Sequence, residues 1–99
     1  MKFLVTVTPH RVQMPTLAVI EQSISWIESK IADKTADCAY AFITGGGVGI
    51  FNADSPDTLR KILLSYPAYP FVDFKIDPLC DIASALEQVK EMIQRATSA

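Results

Sequence analysis

Ninety-nine residues suffice for one domain, spanning 1–99, in which roughly two thirds of the unfolded surface can be buried, and they are too few for two. A net charge of -2, with nine Lys and Arg scattered along the chain, leaves no basic footprint for nucleic acid or an anionic membrane. The hydrophobic fraction of 49% beside 20% charged residues is high for so small a body, so the chain carries apolar surface that needs a cover.

Met1 to Thr8 sets Phe3, Val5 and Val7 against Leu4, Thr6 and Thr8, the period-two pattern of a strand. It does not form a signal-peptide core, and no apolar run is long enough to span a bilayer, so the expectation is a cytoplasmic protein. After a loop from Pro9 to Met14, Pro15 suits a first helical turn, and Leu17, Ile20, Ile24, Ile27 and Ile31 recur at helical spacing to about Asp33. Trp26 falls at the margin of that stripe. Cys38 to Thr44 and Val48 to Ala53 read as two strands joined through Gly45, Gly46 and Gly47, which supply the positive φ angles of a reversal. Gly49, inside a strand, marks a bulge or a close backbone approach.

Ser55, Pro56 and Asp57 then give an N-cap, a preset first-turn φ and a carboxylate suited to the helix dipole, with Leu59, Ile62 and Leu63 on one face. Tyr66 to Pro70 stops this helix, and Phe71 to Asp77 alternates before Pro78 ends the strand. A last helix over Ile82 to Gln94 presents Ile82, Leu86, Val89 and Ile93 on one side and has to dock on something. Cys38 and Cys80 lie in no metal-binding spacing and read as reduced thiols in the core.

The order βαββαβ with an added C-terminal helix is that of an α+β, ferredoxin-like sandwich, whose two long helices cover one face of a four-stranded antiparallel sheet. Ala39 and Ala41 suit close helix packing, which turns Tyr40 and Phe42 to the other face, and the second and third strands show no charge. Burying roughly 200 Å² on each such aromatic is worth several kcal/mol at about 25 cal/mol/Å². A second copy of the chain is therefore the expected cover, with the terminal helix as the alternative.

The run Tyr66-Pro67-Ala68-Tyr69-Pro70-Phe71-Val72-Asp73-Phe74-Lys75-Ile76-Asp77-Pro78-Leu79 resembles the segment after the second helix of muconolactone isomerases. Ile50 to Asp57 is similar to that family's strand-to-helix turn, and Met14-Pro15 to the entry of its first helix. The resemblance implies a dimeric α+β barrel, a homodimer with the option of a larger ring. It also implies cofactor-free movement of a double bond in an unsaturated lactone by proton transfer.

That chemistry needs a base to remove a proton α to a carbonyl and return it elsewhere. His10, the one histidine, is of the residue type that exchanges a proton near neutrality, though beside Arg11 in a loop it also reads as a solvated side chain and cannot hold a metal alone. Asp73, Lys75 and Asp77 share one face of the last strand, as a base and its neighbours if they face a barrel interior, or as ordinary edge charges if they face water. His10 and Asp73 are the catalytic candidates; Tyr40, Tyr66, Tyr69, Phe71 and Lys75 are candidates for lining a ligand site. Gly45 to Gly49 lacks the context of a phosphate loop. Two functions follow: an isomerase or cyclase acting on a small hydrophobic carbonyl compound or lactone, or a non-catalytic oligomeric module that binds a small molecule.

Overall fold

The computed structural model describes residues 1–11 and 13–98. Strand β1 (Lys2–Pro9) leads into helix α1 (Leu17–Ala32), followed by strands β2 (Ala36–Ala41) and β3 (Gly47–Asn52), helix α2 (Pro56–Leu64), strand β4 (Val72–Leu79) and helix α3 (Ile82–Ser98). The strands form one sheet in the order β2-β3-β1-β4, and all neighbours are antiparallel.

Register sorts the sheet into two faces. Phe3 opposes Phe51, Val5 opposes Gly49 and Ile76, and Val7 opposes Gly47 and Phe74, so these residues share a side. On that side Phe3, Val5, Ala36 and Phe51 pack with Leu59 and Leu63 of α2, flanked by Trp26 and Ile27 of α1. The helices therefore cover the expected face. Leu4, Thr6 and Thr8, opposite Asp77, Lys75 and Asp73, lie on the other.

Several boundaries differ from the expected ones, each for a local reason. Pro15 precedes α1 instead of opening it: Thr16 is the N-cap, its hydroxyl accepting from the Val19 N–H at 3.3 Å. β2 starts at Ala36 and stops at Ala41, so Asp37 enters the sheet and the β2–β3 pair is not free of charge. Lys2 pairs with Asp37 and donates to Asn52 Oδ1 at 2.9 Å, while Asn52 Nδ2 donates to Asp37 Oδ1 at 2.8 Å. The Lys2 and Asn52 hydrogen bonds hold the Asp37 carboxyl below its ordinary pKa.

Pro78 does not end β4, which continues to Leu79. β4 is an edge strand, where the missing N–H of a proline costs no ladder bond on the open side. The irregularity in pairing falls on β2, between Ala36 and Cys38, and not at Gly49. Cys80 is exposed and Cys38 half-buried, so neither is a core residue. α3 runs beyond Gln94 to Ser98, and its stripe is not docked: Ile82, Leu86, Val89 and Ile93 are all exposed. The alternative in which this helix covers its own sheet is thus excluded. The molecule is drawn out to 62 × 29 × 23 Å.

Candidate functional site

The small residues of β2 and β3 do not bring α1 close. Ala39 opposes Gly49 and Ala41 opposes Gly47, giving a floor with almost no side chains. Above it α1 presents Ile20, Ile24, Ile27 and Ile31, and the space between is a cavity of about 790 Å³. That volume is ample for a small organic ligand. Ile20, Ile24 and Ile31 remain exposed, so the cavity opens to solvent along α1.

Its inner wall is aromatic. Trp26 stacks obliquely against Tyr66 and Phe51 with ring centroids 5.0 and 6.0 Å apart, and Phe74 meets the Tyr66 ring at 6.2 Å. The Trp26 indole N–H donates to the Ser65 hydroxyl at 2.9 Å, which fixes the ring where α1 passes the end of α2. Lys30 caps the outer face of that ring at 5.6 Å. Gly49 allows this packing: a Cβ there would stand 3.0 Å from the Cys38 carbonyl oxygen and 3.1 Å from the Phe51 ring.

His10 and Asp73, the two catalytic candidates, meet. His10 Nε2 lies 2.9 Å from Asp73 Oδ1. The His10 backbone N–H donates to the Phe71 carbonyl at 2.9 Å, so the loop after β1 is tied to the turn that precedes β4. The imidazole tautomer that donates from Nε2 to this carboxylate carries its lone pair on Nδ1. The pair sits at a rim and not in a dry interior, for the Asp73 side chain is 76% exposed. His10 borders both the large cavity and a second one of about 610 Å³ beside α2, which Asp73 and Tyr69 also line.

The remaining candidates divide. Tyr66 and Phe71 line the large cavity. Tyr69 belongs to the smaller one, its ring 5.7 Å from Phe74. Tyr40 borders the large cavity from β2, but its register opposite Val48 puts it with the outer-face residues, and it is 71% exposed. Lys75 lines neither cavity and lies 3.8 Å from Asp77 on the outer face. Two contributors escaped the sequence reading. Arg11 lines the large cavity, and the Ala39, Ala41, Gly47 and Gly49 floor creates it. The alternation of Ala and Gly with larger residues was the available signal for the floor.

Comparison with known proteins gives no matching family model and no matching curated protein. Among solved structures, muconolactone isomerase superposes with a TM-score of 0.66 at 21% identity, over 82% of this chain and 90% of that one. The 5-chloro-2-hydroxyhydroquinone dehydrochlorinase of Burkholderia phenoliruptrix, in complex with 2,5-dihydroxybenzoquinone, superposes with a TM-score of 0.65 at 12% identity, over 81% and 94%. The sheet order, the two helices on one face and these superpositions agree: the chain has the α+β, ferredoxin-like fold of muconolactone isomerase.

Proposed function

We propose that the protein is a muconolactone isomerase-like, cofactor-free proton-transfer enzyme acting on a small hydrophobic carbonyl compound or lactone held between the sheet and α1. The observation that carries this reading is the 2.9 Å contact of His10 with Asp73 at the edge of a cavity walled by aromatic rings. Asp73 orients the imidazole, and Nδ1 removes a proton from the carbon α to the substrate carbonyl. The electron pair moves into a dienolate, and the same imidazolium returns the proton at the far end of the conjugated system. No electrons are gained or lost. The Tyr66 hydroxyl, on the cavity wall, is suited to donate to the dienolate oxygen. The fold-related dehydrochlorinase, whose structure holds a dihydroxybenzoquinone, and muconolactone isomerase both carry names of small unsaturated ring compounds.

The test is conversion of muconolactone and simple unsaturated lactones, followed by ultraviolet absorbance. His10→Gln is expected to lower kcat by about 100-fold or more, the usual contribution of a general base. Asp73→Asn is expected to give a smaller loss, because it disturbs orientation only. Equal kcat in all three proteins would overturn the assignment. A binding module without catalysis is the second reading, favoured by the placement of the only such pair at the rim and not inside the cavity.

Self-association belongs to either reading. It is supported by the undocked stripe of α3 and by Tyr40 and Phe42 exposed at the β2 side of the sheet. A homodimer, or a larger ring built from it, would cover both.

A further inference from the structure

The sheet ends in two open strands, and they differ. β2 is six residues long and its pairing is irregular between Ala36 and Cys38, which spoils an edge for further pairing. β4 is eight residues long and pairs with β1 without a break. The Phe71 carbonyl accepts from the His10 N–H on the β1 side. By the alternation of an antiparallel strand, the backbone N–H and C=O groups of Val72, Phe74 and Ile76 therefore point away from the sheet. Among the described residues no strand meets them. The side chains of these three residues line the second cavity, and Ile76 remains 37% exposed.

On the outer face of the same strand Asp73, Lys75 and Asp77 alternate in sign, with Asp73 and Lys75 well exposed. Their backbone groups bond to β1, so against a further strand they stand in non-hydrogen-bonded pairs, whose Cα atoms are about 4.5 Å apart and whose side chains are closest. A second β4 laid antiparallel with Lys75 opposite the partner's Lys75, or with either aspartate opposite its own copy, brings like charges together and is disfavoured. Opposite charges meet when the two-fold axis lies at Ile76 or at Phe74. With the axis at Ile76, Pro78 falls opposite the partner's Phe74 and withholds an N–H from the ladder. With the axis at Phe74, Val72 meets the partner's Ile76, Asp73 meets the partner's Lys75, and no proline enters the paired stretch.

We infer that a second copy of the chain adds its β4 to this edge, antiparallel and centred on Phe74, to form one continuous sheet across the two subunits. The contact is separate from any made by the α3 stripe or by the outer face of the sheet, and it does not depend on the proposed catalysis. It brings the partner's Lys75 to the Asp73 carboxylate that holds His10, and the partner's Val72 beside the exposed Ile76.

The experiment uses the full chain carrying Leu86→Asp and Val89→Asp, which disable the α3 stripe, and measures mass by sedimentation at low salt. This parent is expected to remain a dimer. Lys75→Asp and Asp73→Lys, added separately, each make the opposed pairs like-charged and should raise the dimer Kd about tenfold or more. Mixed in equal amounts the two variants should associate with the affinity of the parent, because one carries acid at both positions and the other carries base at both. Ile76→Pro removes an outward N–H and no bond to β1, and should weaken the dimer while the circular dichroism of the sheet is kept. A monomeric parent, a dimer indifferent to both charge substitutions, or a mixture that fails to reassociate overturns the pairing. Rescue by mixing without any effect of Ile76→Pro also overturns it, since the charges would then meet without a backbone ladder. If the α3 substitutions unfold the chain, the same variants in the native background give the same test, read as the change in mass between each variant and the mixture.

Discussion

Gly46 stands at φ +81° in the turn between β2 and β3, and a Cβ there would run into the Val7 carbonyl oxygen. Gly45 has a φ of +109° but open space around it. The turn closes on two backbone bonds, from the Phe42 N–H to the Gly46 carbonyl at 2.9 Å and from the Gly45 N–H to the Phe42 carbonyl at 3.0 Å. Gly46→Ala should therefore cost more than Gly45→Ala, about 2 kcal/mol or more against about 1, since the first adds a clash to the strain that both share. Urea unfolding of the two variants reads the difference, and equal midpoints would show that the clash is relieved without cost. This turn was legible because a run of glycines between apolar strands has few other uses. The meeting of His10 with Asp73 was not, because it depends on the register of β1 with β4 across 63 positions and on a loop tied to the Phe71 carbonyl. Arg11 was passed over for the same reason: nothing local to it indicates a cavity.

At the scale of elements, the start of α2 is the plainest case of sequence acting locally. Ser55 is extended, Pro56 follows at the first helical position, and the Ser55 hydroxyl accepts from the Thr58 N–H at 3.2 Å. Ser55→Ala should lower stability by about 1 kcal/mol and Ser55→Asp should preserve it. The comparison of their thermal midpoints with the native one decides whether the cap acts in this way. α2 matters to the site because its end positions Ser65, which holds the indole of Trp26, and because Tyr66 follows directly. The strand ends were less legible. Pro78 reads as a stop in the sequence because a ladder donor is lost there, but an edge strand tolerates that loss, and which strands are edges is a property of the sheet and not of the segment. Asp37 was likewise misplaced, since its membership of β2 depends on pairing beside β3 and on the Lys2 and Asn52 side chains.

For the whole molecule, the decisive element is α3. Its spacing of four, three and four residues through Ile82, Leu86, Val89 and Ile93 forms one continuous stripe, exposed throughout, with Met92 beside it. Burial of each such side chain is worth about 1.5–3 kcal/mol, so a chain that leaves them in water pays heavily for solitude. The native protein is expected to run as a dimer or larger by light scattering. Leu86→Asp with Val89→Asp should shift it toward a monomer without unfolding the sheet, whose core contains neither residue. A native monomer, or a doubly substituted protein of unchanged mass, would remove self-association through this helix. The amphipathy of α3 was visible in the sequence; that it leaves the body was not, because nothing in its own residues tells a helix which chain to pack against.

The floor of the large cavity has a further consequence. It consists of Ala39, Ala41, Gly47 and Gly49, the two smallest side-chain types. Random substitution at the two alanines is lopsided, for almost every change adds volume above the floor, whereas at Gly47 and Gly49 a Cβ already crowds the backbone of β2 at 3.0 Å. Drift alone would tend to close such a chamber and leave a more stable protein. On the proposed reading, it is occupancy of the space by a ligand that would keep those side chains small.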